Sequence, residues 1–197
     1  MNNKDEILAD FEDIDKKQNS NSGAETTTDN NEGVRQIGDW HSKTQGSVEQ
    51  GVASMPLGIT TSLKQLTFQV ESKSDYWRAG FKLEDPNAEI FLPRLLTPQS
   101  FLFHVARNLD STYETSAYID GDANSAKHKR QIPLDTSKPI KVAIDRNDKN
   151  FIRCYINEEL VYTGELPSAY FQKVYLVIWG DEHQAEVDII DIELVEE

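Results

Sequence analysis

Short segments in which apolar and polar residues alternate follow one another from Val34 to the C-terminus. In Leu66–Glu71 the apolar side chains stand at every second position, and the same period continues through Trp77–Leu83. A period of two puts alternate side chains on opposite faces of a β-strand. The same pattern predicts further strands at 34–40, 46–54, 90–92, 101–107, 115–119, 140–145, 151–157, 160–163, 174–179 and 186–195.

Turn residues separate these segments, and the spacing predicts an all-β fold. The seven prolines of the chain are expected to lie between strands, because proline lacks the amide donor that a sheet ladder needs. No long helix is predicted after residue 33. Regularly spaced short strands are typical of a sandwich or barrel, so we predict a two-sheet antiparallel sandwich over residues 34–197.

The last segment, Glu186–Val195, breaks strict alternation. Without a correction, Ile190 would stand on the same side as Glu186 and Asp188. One extra residue near Ile189 and Ile190, a β-bulge, restores the pattern. The apolar side chains then face the core, and the four acidic side chains of the segment face outward.

Residues 1–33 are predicted to form a flexible acidic tail. Within 5–16, helical spacing places four apolar residues on one side, and the tail could use them to dock on a partner protein: Ile7, Leu8, Phe11 and Ile14. A helix of about three turns is marginal in water, so a frayed tail is the alternative. Residues 18–33 lack aromatic and large aliphatic side chains, which predicts a linker.

Charge and cysteine content narrow the function. The chain has 34 acidic and 20 basic residues, a formal charge of −14, and such a surface repels phosphate groups. We therefore expect no binding of nucleic acid or of membranes.

Cys154 is the single cysteine, so the chain forms no internal disulfide. The N-terminus has no signal-peptide pattern, which predicts a cytoplasmic protein; a mature secreted fragment with an added Met would look the same.

Five segments of the C-terminal third follow one another in a characteristic order, and the second of them ends in Tyr-Ile-Asn: 140–146, 151–157, 160–162, 174–180 and 187–192. In this order the C-terminal third resembles the concanavalin A-like lectin and glucanase superfamily. It resembles the laminin-G-like pattern and could cover 34–196. The resemblance implies a jelly-roll with its ligand on the concave sheet face or the rim loops. Sugars are the commonest ligands in that superfamily, but peptide binders, lipid binders and assembly modules also occur.

Aromatic and polar residues on the predicted strands suggest a ligand-binding surface. Sugar recognition needs flat aromatic rings for the apolar ring face and a few fixed polar groups for the hydroxyls. The wider set includes Trp77, His104 and Tyr118, each of which could equally be core or loop cover. The predicted ligand-binding residues are Tyr76, Arg78, Arg107, Tyr175 and Trp179.

The leading hypothesis is a non-catalytic recognition module that binds carbohydrate or another polar ligand and is tethered to a larger assembly by its tail. It predicts that Trp179 or Tyr175 is exposed in a groove. The alternative, a structural or interaction subunit without a small ligand, predicts that the same aromatics are buried.

A third hypothesis is a glycoside hydrolase. The segment Glu186–Asp191 resembles the catalytic strand of laminarinase-type hydrolases, which reads Glu-x-Asp-x-x-Glu. That resemblance implies Glu186 as nucleophile and Asp191 as acid/base, and retaining hydrolysis needs the two carboxyls about 5–5.5 Å apart. Asp191 is one methylene shorter than the family's Glu. Solvated acids on a last strand are the alternative.

A calcium site is the one metal site the sequence suggests. Asp120, Asp122 and Asn124 offer oxygen atoms at alternate positions, a spacing that can ligate Ca²⁺. The glycine and glutamate of the EF-hand are absent, because Ser125 and Gln131 stand at those positions. A plain hairpin turn is the preferred interpretation. The four histidines do not have the spacing of a zinc site.

Overall fold

The computed structural model describes residues 33–44, 51–88, 96–121, 130–135 and 137–197. Residues 1–32 of the predicted tail, with its docking helix at 5–16, residues 46–50 of the predicted strand at 46–54, and the predicted strand at 90–92 lie outside these ranges. The described strands are β1 Val34–Ile37, β2 Trp40–Lys43, β3 Val52–Pro56, β4 Leu63–Ser72, β5 Trp77–Glu84, β6 Ser100–Arg107, β7 Tyr113–Ile119, β8 Arg130–Gln131, β9 Ile140–Arg146, β10 Phe151–Ile156, β11 Glu159–Glu165, β12 Val174–Trp179 and β13 Glu186–Glu196.

The strands form two antiparallel sheets. A seven-stranded sheet has the order β1-β13-β4-β9-β10-β11, and β2 pairs with the part of β13 that β1 does not reach. A six-stranded sheet has the order β3-β12-β5-β6-β7-β8. The two sheets pack face to face, so the predicted all-β sandwich is confirmed.

The core between the sheets comes from the apolar side of the alternating pattern. Phe68 of the seven-stranded sheet and Phe81 and Phe103 of the six-stranded sheet are fully buried in it, and the rings of Phe81 and Phe103 lie 5.6 Å apart. Cys154 is buried in the same core, and burial raises the pKa of its thiol well above the usual value. The core is therefore built from the apolar side chains that the alternating pattern places on the inner faces of the two sheets.

The bulge predicted in the last strand is present, one residue later than expected. The pairing of β13 with β4 shifts between Ile190 and Glu193, and Asp191 takes a positive φ of 50°. The inward residues Val187, Ile189, Ile192 and Leu194 are all fully buried, as the pattern predicted. Asp39, in the break between β1 and β2, accepts a hydrogen bond from the backbone N–H of Asp191 (3.2 Å). The break at the edge of the sheet therefore lies directly beside the bulge of β13.

Four details differ from the sequence prediction. The segment 34–40 divides at Gly38 and Asp39 into two strands. The short strand β8 was not predicted, and neither was a 3₁₀ helix at Ser168–Gln172. Pro56 lies inside β3 rather than between strands; β3 is an edge strand, where a missing donor can face away from the sheet.

Within the described ranges, no helix has the length and apolar character needed to cross a membrane.

Candidate functional site

The outer face of the six-stranded sheet, opposite the core, carries a second apolar patch. Leu102, Val177 and Trp179 form this patch, and Tyr118 and Tyr175 pack against it. The side chain of Trp179 is only 6% exposed, so the expectation of an exposed Trp179 is wrong. Tyr175 is half-buried on the same face.

Aromatic rings continue across this face from β12 to β7. The indole of Trp179 meets the ring of His104 edge-on at 4.8 Å, and His104 stacks against Tyr118 at 5.8 Å. His104 itself is buried. The register explains this row, because residues on β12, β5, β6 and β7 that stand opposite one another share a face.

Four polar and aromatic residues gather beside Trp179, and we refer to them as the Asp181 cluster: Tyr76, Arg78, Asp181 and His183. The Tyr76 hydroxyl donates to Asp181 Oδ2 at 2.6 Å, and Arg78 Nη1 lies 2.8 Å from the same oxygen. The guanidinium of Arg78 sits over the ring of Tyr76 at 4.5 Å, and the ring of His183 lies 4.6 Å from that of Tyr76. Arg78 pairs directly with Trp179 in the ladder between β5 and β12.

A tight turn after β12 places two members of the cluster. The N–H of His183 donates to the carbonyl of Gly180 at 2.7 Å, and Asp181 has a positive φ of 48°. A Cβ atom on Gly180 would lie 2.2 Å from the carbonyl oxygen of His183. Since real Cβ atoms do not approach so closely, the turn requires glycine at this position.

The environment keeps Tyr76 protonated. Burial raises the pKa of its hydroxyl, and the hydrogen bond to Asp181 raises it further, although Arg78 acts in the opposite direction. Tyr76 is therefore a hydrogen-bond donor at neutral pH. Asp181 keeps 46% of its side chain exposed, whereas Arg78 keeps only 16%. The carboxylate is thus the most accessible polar group of this pair.

The five predicted binding residues do not all come together. Tyr76, Arg78 and Trp179 meet at one end of β12, and Tyr175 lies on the same face, four residues away along the strand. Arg107 pairs with Trp77, whose side chain enters the core, so it points away from the face that carries Arg78. Its guanidinium donates to the carbonyl of Ser74 at 2.9 Å and lies 3.3 Å from Asp75.

A buried charged group lies at the other end of the outer face. Glu84 binds Lys82 through one carboxylate oxygen at 3.0 Å and Lys173 through the other at 3.2 Å. Burial alone would raise the pKa of Glu84, but the two lysines lower it below its usual value. The Lys173 ammonium also lies 5.4 Å from the ring centre of Tyr175. The single carboxylate of Glu84 therefore forms an ion pair with each of the two lysines.

The two carboxylates suggested for hydrolysis lie on the opposite sheet. Glu186 faces outward from the seven-stranded sheet, 3.3 Å from Lys43. Asp191 stands at the bulge and accepts a hydrogen bond from Gln69 at 2.5 Å. A groove of about 300 Å³ runs past Asp191, and besides the buried Phe68 its lining is polar: Gln36, Thr67, Gln69, Lys141, Asp191 and Glu193. These acids are therefore separate from the aromatic face.

The calcium candidate is only partly described. Asp120 has a positive φ of 55° and accepts a short hydrogen bond from the Tyr170 hydroxyl, while Asp122 and Asn124 lie outside the described residues. Burial and this bond raise the pKa of Tyr170. Among the described residues, no three His, Cys, Asp or Glu side chains are grouped to hold a metal ion. Calcium binding stays a prediction.

Sequence reasoning missed Asp181 and His183. Both follow the apolar segment that ends at Trp179, within Gly-Asp-Glu-His at 180–183. A glycine followed by polar residues at the tip of an aromatic strand indicates a rim turn, which is the signal that could have drawn attention to them.

The fold defines the class. Two antiparallel sheets, packed face to face in this strand order, make a jelly-roll of the concanavalin A-like lectin and glucanase type, and the predicted resemblance is confirmed at the level of fold. No protein-family model and no curated protein sequence matches the chain.

Solved structures of similar fold include a carbohydrate recognition domain and two enzymes. The carbohydrate recognition domain of Emp46p matches with a TM-score of 0.57 and 11% identity, over 88% of this chain and 86% of that one. The Crh5 transglycosylase in complex with NAG matches at 0.52 and 9%, over 80% and 72%. The endo-1,3-beta-glucanase (laminarinase) catalytic domain from Thermotoga petrophila matches at 0.51 and 10%, over 85% and 81%. At these identities the likeness concerns the fold.

Proposed function

We propose that this protein is a carbohydrate-recognition module whose ligand contacts the Asp181 cluster at the rim of the six-stranded sheet. The observation that carries the proposal is the convergence of Tyr76, Arg78, Asp181 and His183 beside Trp179. Aromatic rings there can cover the apolar side of a sugar, and the fixed carboxylate can accept hydrogen bonds from its hydroxyl groups.

The geometry of the cluster suits this role because its polar groups are held before any ligand arrives. Arg78 and the Tyr76 hydroxyl both point at one oxygen of Asp181, which fixes the carboxylate. A group that is already oriented loses little conformational freedom on binding, so more of the interaction energy appears as affinity. Carbohydrate-binding and carbohydrate-processing proteins of the same fold, the Emp46p domain and the laminarinase among them, are consistent with the proposal.

A glycan array with the purified protein tests the proposal, with Asp181→Ala as the informative variant. Loss of a charged hydrogen-bond acceptor costs about 1.5–3 kcal/mol. We therefore expect the variant to bind roughly 10- to 100-fold more weakly to the glycans that bind the wild-type protein. Trp179→Ala is a poorer probe, because Trp179 is buried and its removal also disturbs packing.

The chain offers a matched control on the other sheet. Asp145 accepts hydrogen bonds from Arg153 at 2.8 Å and from the Tyr155 hydroxyl at 3.1 Å, the same three residue types as in the Asp181 cluster. Asp145→Ala should leave glycan binding unchanged. An array on which the wild type binds nothing, or on which Asp145→Ala and Asp181→Ala lose equal signal, would count against the proposal.

A structural or interaction subunit is the second candidate, and the burial of Trp179 favours it. The interaction hypothesis expects aromatics of the outer face to be covered, and Trp179 is buried there together with the aliphatic Leu102 and Val177. It also proposes that Ile7, Leu8, Phe11 and Ile14 dock on a partner protein. Pull-down with the full chain and with a chain lacking residues 1–33 tests this candidate, and the same truncated chain should keep its glycan binding if the protein is a recognition module.

A further inference from the structure

We infer that the ligand of the Asp181 cluster is an uncharged, hydroxyl-rich saccharide rather than a uronate, sialylated or sulfated one. The inference rests on the proposed function and adds the charge class of its ligand. It follows from how the charged side chains of this face are paired.

A binding site for an acidic saccharide needs a cation that can turn toward the ligand. Of the side chains that the structure describes on this face, the three lysine and arginine side chains each lie within hydrogen-bond distance of a carboxylate. Arg78 is 2.8 Å from Asp181, while Lys82 and Lys173 are 3.0 Å and 3.2 Å from Glu84. An anionic ligand would therefore compete with a carboxylate for each of these three cations.

Arg78 is the arginine or lysine nearest the rim, and its side chain is mostly covered. Its guanidinium stacks on the Tyr76 ring at 4.5 Å, and only 16% of the side chain is exposed. The exposed partner is Asp181, at 46%. A ligand that approaches the cluster therefore meets a negative charge first.

Asp181 is suited to hydroxyl groups. The Tyr76 hydroxyl donates a hydrogen bond to Oδ2, and Arg78 Nη1 lies 2.8 Å from the same oxygen as an ion-pair partner. A carboxylate offers about four lone-pair sites, so it can still accept from one or two ligand hydroxyls. A ligand carboxylate or sulfate in the same place would put like charges side by side, in a protein whose formal charge is −14.

The test compares saccharides of equal length that differ in charge, by isothermal titration calorimetry with the full chain. Suitable pairs are galacto-oligosaccharide with oligogalacturonate, and a neutral gluco-oligosaccharide with its sulfated form. We expect the neutral member to bind at least about tenfold more tightly. Asp181→Asn removes the charge and keeps a hydrogen-bond acceptor. We expect it to reduce the ratio of the affinity for the neutral saccharide to that for the acidic one, while Asp145→Asn leaves this ratio unchanged.

The outcomes separate the two ideas. Binding of the acidic members as tightly as the neutral ones overturns the inference and leaves the proposed function standing. Binding of no saccharide overturns the proposed function and the inference with it. Melting temperatures of both variants show whether the fold is intact. The affinity of the wild-type protein for the neutral saccharide should not change with added salt, because the ligand carries no charge for the salt to screen.

Discussion

Replacement of Gly80 by alanine is expected to destabilise the protein by about 3 kcal/mol, the largest effect that we expect from a methyl group added at any of the described glycines. Gly80 stands in the middle of β5, directly opposite His104 of β6. A Cβ atom there would lie 2.0 Å from the carbonyl oxygen of Phe103 and 2.7 Å from the Cα of His104. Both are backbone atoms of a central strand, so the neighbour cannot rotate away.

The consequence extends to both faces of the sheet. Phe81 and Phe103 on the core side belong to the same two strands, and His104 carries the aromatic row on the outer side. Separation of the strands at Gly80 would loosen both. For a domain of this size, a loss of about 3 kcal/mol lowers the melting temperature by roughly 6–12 °C, which calorimetry or a circular dichroism melt can measure.

Gly58→Ala is the control for this experiment. Gly58 has a positive φ of 59°, but its added Cβ would come no nearer than 4.0 Å to another atom. The variant should therefore carry only the conformational cost of a left-handed alanine, about 1 kcal/mol. Equal melting temperatures for Gly80→Ala and the wild type would show that the close approach of β5 and β6 is absent in solution.

Gly180→Ala is expected to abolish most carbohydrate binding while the sandwich stays folded. The added Cβ would meet the carbonyl oxygen of His183 at 2.2 Å, so the turn that carries Asp181 and His183 must open. Arg78 and Tyr76 would then lose their common acceptor. We expect at least about a tenfold loss of affinity, from the loss of a charged hydrogen bond, and a loss of stability of about 1–3 kcal/mol.

Gly164→Ala separates a general effect of glycine replacement from this local one. Its added Cβ would lie 2.5 Å from the hydroxyl of the buried Tyr162 side chain, on the edge strand β11 of the other sheet. Binding should persist in this variant. Full binding by Gly180→Ala, measured on the same saccharides, would mean that the ligand does not depend on the turn.

Much of the fold was predictable because burial repeats with a period of two. The last strand illustrates this. Val187, Ile189 and Ile192 can all face the core only if the strand contains one extra residue, and the sequence placed that bulge within one residue of its observed position. Features that depend on partners distant in the chain were not predictable. The division at Gly38 and Asp39 follows from the bulge on the neighbouring strand, which no local pattern around residue 38 shows.

The candidate site was predictable only in part, for the same reason. Tyr76, Arg78 and Trp179 were selected by residue type, and the ladder between β5 and β12 brings them together. Arg107 was selected on the same grounds, but its position in β6 turns it to the other face. Asp181 was missed because its importance comes from a turn whose geometry depends on the missing Cβ of Gly180.

The central claim is that saccharide binds beside Trp179, and the indole N–H signals of the three tryptophans test it most directly. The protein is labelled with ¹⁵N and titrated with the neutral oligosaccharides that the array retains. The account predicts that the Trp179 indole signal shifts, while those of Trp40 and Trp77, which lie in the core between the sheets, stay in place. Saturating ligand that leaves Trp179 unmoved, or that shifts Trp40 or Trp77 instead, would contradict it.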